Sequence, residues 1–144
     1  MEMLGVIGRR VLVTAVVCTT MACAGPAHRR SEVPFGALDL PAPNSVVAPG
    51  PLVVGGWAMD DEGIDVVRVF VNRRFVAETR LTVPRPDLIK AFPAYLHNTE
   101  VHGWNLTITL QAGTGAAEIL AQAVDVRGAT RDLGAVVVTV GSHP

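Results

Sequence analysis

The stretch Trp104-Asn105-Leu106-Thr107-Ile108-Thr109-Leu110-Gln111 alternates apolar and polar residues without a fault. A repeat of two puts Trp104, Leu106, Ile108 and Leu110 on one face of an extended chain and leaves the other face polar. That pattern belongs to a strand half buried in an antiparallel sheet with one side in water. Segments on either side carry the same period. In residues 65–72 (DVVRVFVN), Val67, Val69 and Val71 fall together, with Arg68 and Asn72 opposite. Residues 75–83 follow across a tight Asn72-Arg73-Arg74 connection, which predicts a hairpin. Residues 52–59, 117–126 and 133–140 complete the set, and Ala37-Leu38-Asp39-Leu40 adds an edge strand. About seven short strands, Gly-containing turns and no sustained helical period predict an all-β fold, an antiparallel β-sandwich.

The chain has 144 residues, of which 49% are hydrophobic and 17% charged, and its formal net charge is −1. So apolar a composition excludes intrinsic disorder, and so even a charge balance excludes the basic footprint of a nucleic-acid partner. Part of the apolar content is a leader. Arg9-Arg10 precede the run Val11-Leu12-Val13-Thr14-Ala15-Val16-Val17, and Ala22-Cys23-Ala24 closes it with small residues. This predicts a signal peptide over residues 1–24, since a membrane span needs about 20 apolar residues. Arg9-Arg10 also looks faintly like a twin-arginine export signal. Thr20-Met21-Ala22-Cys23 resembles a bacterial lipobox, with Thr20 where Leu is usual. That resemblance implies lipidation of Cys23, which would become the new N-terminus.

Residues 25–37 have no period and contain Gly25, Pro26 and Pro34, so they predict a flexible tether. Residues 38–144 form the expected domain, roughly a hundred residues and enough for one core. Cys18 and Cys23 are the two cysteines, and both lie in the leader. The domain therefore offers no disulfide, no thiolate nucleophile and no Cys-ligated metal. The expected location is extracytoplasmic, as a secreted protein or cell-envelope lipoprotein. Membrane contact is expected only through a lipid on Cys23.

Residues 83–101 break the strand pattern with Pro84, Pro86 and Pro93, because proline cannot donate to a sheet ladder. Residues 87–92 can form one helical turn starting at Pro86 or Asp87. A connection this long is functional or tied down by packing. Two readings follow: Leu88, Phe92 and Tyr95 cap the core, or Arg85, Asp87, Phe92, Tyr95 and His97 form a binding loop.

Three clusters along the chain then resemble a known family. They are Gly56-Trp57-Ala58-Met59-Asp60 with Gly63-Ile64, then Arg85-Pro86-Asp87-Leu88 with Phe92-Pro93 and Gly103-Trp104, then Ala123-Val124-Asp125-Val126-Arg127-Gly128. Together they look like the bacterial Ig-like modules with a GWAxDxxGI start, an RPDV-type loop and an AxDxxG final hairpin. The resemblance covers about residues 38–140. It implies an Ig-like sandwich that serves as an accessory part of a surface protein.

No nucleophile elbow accompanies His97 or His102, which border the proline-rich loop, and His143 lies in the tail; the chain is expected not to be an enzyme. Trp104 is expected in the core, and Trp57 beside it on the inner face. Asp60, Asp61, Asp65 and Asp125 come from two turns that cluster at one end of such a sandwich. They are a candidate Ca²⁺ site, because that ion takes several carboxylate oxygens. The competing reading is that these aspartates bond local N–H groups in their turns. Otherwise no cofactor is expected. At the opposite end, Arg73-Arg74 are either solvated charge or a contact for an acidic partner or lipid headgroups. The expected function is a non-catalytic binding or accessory module at the envelope, with an unidentified envelope protein or glycan as partner. The alternatives are a carbohydrate-binding module, stacking sugar on Tyr95, Phe92 or Trp104, and a purely structural spacer.

Overall fold

The computed structural model describes residues 32–95, 99–113 and 115–141. The predicted leader, Cys23 and most of the predicted tether lie outside the described residues. Two sheets face one another. One has the order β1 (Phe35–Leu40), β3 (Gly50–Met59), β7 (Val101–Leu110), β6 (Val83–Pro84). The other runs β2 (Val46–Val47), β9 (Thr130–Val140), β8 (Gly115–Asp125), β4 (Ile64–Val71), β5 (Arg74–Thr79). A short helix, α1 (Pro86–Ala91), and a 3₁₀ turn (Pro93–Tyr95) interrupt the strands between β6 and β7. Every pairing is antiparallel except β2 with β9. The neighbour order β1-β3-β7-β6 opposite β9-β8-β4 is that of an immunoglobulin-type sandwich, with β2 and β5 as added edges.

The alternating stretch that begins at Trp104 lies in β7, and Trp104, Ile108 and Leu110 point into the core. They meet Val67 and Val69 of β4, Val136 and Val138 of β9, and the β8 residues Ala117, Ile119, Ala121 and Ala123. Alanine at most inward positions of β8 leaves volume for larger side chains from the facing sheet. Trp104, 2% exposed, is the largest of these. Burying it contributes on the order of 4–6 kcal/mol. Its indole N–H finds no acceptor among the described residues, which offsets about 1–3 kcal/mol.

Three expectations change. Nine strands form among the described residues rather than about seven, because β2 and β6 are two-residue edges that carry no readable period. The first strand begins at Phe35, inside the predicted tether, because Phe35 pairs with Met59 and Gly36 with Ala58. Trp57 is not in the core. It pairs with Gly103 while Gly56 pairs with Trp104, so the two tryptophans stand on opposite faces of their sheet. Among the described residues no helix is long and apolar enough to cross a membrane.

Candidate functional site

The three sequence clusters converge at one pole of the sandwich. β3 ends there and turns into β4, β8 turns into β9, and the crossover between β6 and β7 lies alongside. The crossover starts where Pro84 and Pro86 end pairing. Pro86 opens α1, Asp87 complements the positive end of its first turn, and Leu88 is buried. Phe92 N–H closes the helix on the Leu88 carbonyl at 2.8 Å, and Tyr95 N–H reaches the Phe92 carbonyl at 3.1 Å.

Arg85 latches this crossover to the first strand. Its Nε and Nη2 donate to the two carboxylate oxygens of Asp87 at 2.9 and 2.7 Å, while Nη1 donates to Asp39 Oδ2 at 3.0 Å. The hydrogen bond from Arg85 holds the Asp87 carboxyl below its ordinary value. The bond to Asp87, partly opposed by burial, holds the Arg85 guanidinium above its own. Gly103 makes room for this arrangement: a Cβ there would lie 2.9 Å from Val83 Cβ and 3.0 Å from Arg85 Cγ.

Phe92 and Tyr95 are held as firmly. On the outer face of the four-stranded sheet, Phe35 meets Trp57, Phe92 and Tyr95 at ring-centroid distances of 6.0, 5.3 and 4.9 Å, and Trp57 meets Phe92 at 5.5 Å. Tyr95 donates its hydroxyl to Glu32 Oε2 at 2.6 Å, and that bond chiefly raises its pKa. Of the five predicted loop residues, Arg85, Asp87, Phe92 and Tyr95 serve packing and latching. The fifth, His97, lies outside the described residues.

Asp60 and Asp125 are each 2% exposed and organise the two adjoining turns. Asp60 Oδ1 accepts the N–H groups of Glu62 at 2.8 Å and Gly63 at 3.1 Å. Gly63 has φ +118, a conformation that favours glycine. Asp125 Oδ1 accepts the N–H groups of Arg127 and Ala129, both at 2.8 Å. The turns are joined by Val126 N–H on the Gly63 carbonyl at 3.1 Å and by an Arg127–Glu62 ion pair. Burial, opposed by those two amides, pushes the Asp60 carboxyl above its usual range, and the Asp61 and Asp125 carboxylates add to the rise.

The four aspartates of the candidate Ca²⁺ site each engage protein groups, Asp60 and Asp125 through one oxygen on their turn amides. Asp61 accepts the Glu32 N–H at 3.2 Å, and Asp65 pairs with Arg80 at 3.6 Å. Among the described residues no group of three or more His, Cys, Asp and Glu side chains is arranged to hold a metal ion. The turn-bonding reading describes what Asp60 and Asp125 do.

A cleft of about 310 Å³ opens at this pole, walled by Met59, Ile64 and Leu81 and reached by Asp60, Tyr95 and His102. His102 borders the proline-rich connection as expected, but it is buried as the second residue of β7, with Nε2 3.1 Å from the Thr99 carbonyl. The period of two could have shown this, since His102 shares a face with Trp104. Glu32 and Asp39, the partners of Tyr95 and Arg85, carry no local signal in the sequence. Trp104 is too buried to stack on a glycan, which removes that platform from the sugar-binding alternative.

No family model matches this chain, and no curated protein matches it. Among solved structures it is similar to the fibronectin(III)-like modules of Clostridium thermocellum CbhA. The match is at 20% identity with a TM-score of 0.53, over 77% of this chain and 48% of that one. The chain thus spans about half the length of that structure, and the likeness extends to the fold: a fibronectin III-like β-sandwich.

Proposed function

We propose that this chain is an exported, envelope-associated module of the bacterial Ig-like kind, with a non-catalytic binding or accessory role. One observation carries the reading. The residues that suggested chemistry are engaged in holding the fold: Arg85 on Asp39 and Asp87, Tyr95 on Glu32, Asp60 and Asp125 on turn amides. Groups committed in this way act as latches and caps, and a catalytic group must instead reach a reacting atom. Function then falls to surface that the sandwich displays without using. The leader-like residues 1–24 support export, and Cys23 is the residue that would carry a lipid.

The test is to express the full chain with its leader, fractionate the cells and weigh the mature protein. The expected product sits in the envelope fraction and begins at a lipid-modified Cys23. A chain retained in the cytoplasm and still beginning at Met1 would overturn the reading.

A further inference from the structure

The surface the sandwich displays without using lies at the pole opposite the crossover, on the β4–β5 hairpin. Asn72 and Arg73 have φ +49 and +65, so the strands reverse through a two-residue turn of the kind that matches their twist. β5 is the last strand of its sheet, and its outer edge has no strand partner among the described residues. The register slips here: Val69 pairs with Ala77 but Phe70 with Phe75, which leaves Val76 as a bulge. A bulge re-aims side chains. Phe75 is consequently 55% exposed and Val76 41% exposed. Phe70 braces the Phe75 ring edge-on at 5.9 Å.

Across from this strand, β6 covers β7 only through Val83 with Gly103 and Pro84 with Val101. Beyond Gly103 that flank of β7 has no strand paired to it among the described residues, and β5 of the other sheet lies alongside it. A groove of about 580 Å³ results, walled by Phe75, Val76 and Leu110 with Arg74 and Thr109 at its rim. Arg73 and Arg74 form no ion pair among the described residues, whereas Arg68 on the same hairpin is paired with Glu78. Edge strands ordinarily hide or charge their apolar residues. Here the charge sits at the tip, and the bulge turns two apolar residues outward. Arginine and aromatic residues, Phe included, are enriched in protein interfaces.

We propose that the β5 edge is a docking site for an extended acidic segment of another polypeptide, which adds a strand to the five-stranded sheet. Its apolar residues meet the exposed Phe75 and Val76, and its carboxylates meet Arg73 and Arg74. Charge complementarity selects the acid, since Asp60, Asp61, Glu62 and Asp65 gather at the far pole. The apolar wall selects a polypeptide over a phosphate or a simple sugar. The exposed Phe75 and Val76 favour a polypeptide over lipid headgroups, which offer charge without an extended apolar chain for the strand edge. This assignment names the partner class for the binding role proposed above and rests on it.

The probe is a blocked, alternating Glu/Val octapeptide, titrated into the isotopically labelled mature chain and followed by amide NMR. Comparison peptides are alternating Ser/Val and a block arrangement of the same Glu and Val residues. The expected result is saturable binding, with shifts and slowed amide exchange confined to β5 and residues 109–111. Affinity should fall at least about tenfold in Arg73→Glu/Arg74→Glu and as salt is raised. The amide spectrum reports whether that variant folds, and Arg73→Gln/Arg74→Gln provides the same comparison with less repulsion. No binding of the alternating peptide, equal binding by the charge variants, equal binding of the block peptide, or shifts centred on the crossover would each overturn the assignment. Binding to phosphatidylglycerol vesicles without peptide binding would overturn it in favour of headgroups. The mature N-terminus is read without any peptide, so failure of export and failure of docking are separate results.

Discussion

Replacing Asp125 with alanine tests whether the crossover pole is held by carboxylates that cap turns. One oxygen of Asp125 accepts two backbone N–H groups at 2.8 Å, and the residue is 2% exposed. Hydrogen bonds to a charged acceptor contribute about 1.5–3 kcal/mol each. Arg127 and Gly128 are exposed, so water can replace part of the loss at the Arg127 amide. The expected loss for Asp125→Ala is therefore about 2–4 kcal/mol, a large share of the 5–15 kcal/mol available to a domain. At about 5 °C per kcal/mol, Tm falls by about 10–20 °C. Asp125→Asn keeps an acceptor oxygen and should lose less than half as much. The assay is urea unfolding followed by tryptophan emission, with millimolar Ca²⁺ and with chelator. A loss below about 1 kcal/mol for the alanine variant would refute the capping account. Calcium that raises the wild-type midpoint but not that of the variant would show instead that these oxygens serve a cation.

Three further outcomes follow from the same geometry. Asp60 is held above its ordinary carboxyl value of 3.8, so the folded chain binds this proton more tightly than the unfolded one. Its contribution to stability is full below that value and is lost as pH rises through the higher folded value. Asp60→Asn keeps the acceptor for the Glu62 and Gly63 amides and should flatten that decline in urea midpoints; an unchanged slope would remove Asp60 as its source. Trp57→Phe leaves Trp104 as the emitter, and the spectrum should be blue-shifted and resistant to acrylamide, whereas a quenchable, red-shifted spectrum would put Trp104 in water. Gly103→Ala drives a methyl to within 2.9 Å of Val83 and should cost about 1–3 kcal/mol in thermal unfolding, a neutral effect showing that β6 is free to move aside.

The strands were readable because their information is local: a repeat of two survives in any window of eight residues. The face that Trp57 occupies was not, because a one-residue shift of register moves every side chain to the opposite side. Only the pairing of Trp57 with Gly103 decides it. The roles of Arg85 and Tyr95 depend on partners 46 and 63 residues away, Asp39 and Glu32, that no motif announces. The motif residues were conspicuous in the sequence because a crowded pole demands particular shapes and caps. Conversely, Arg73-Arg74-Phe75-Val76 looked like an ordinary hairpin tip, and only the bulge exposes its apolar pair.

A photoreactive phenylalanine analogue placed at position 75 or position 92 of the full chain, in cells that export it, tests the central claim most directly. The account predicts a discrete protein adduct from position 75 and none from position 92, where the ring is packed against Phe35 and Trp57. An adduct from position 92 alone, or from neither position, would contradict it.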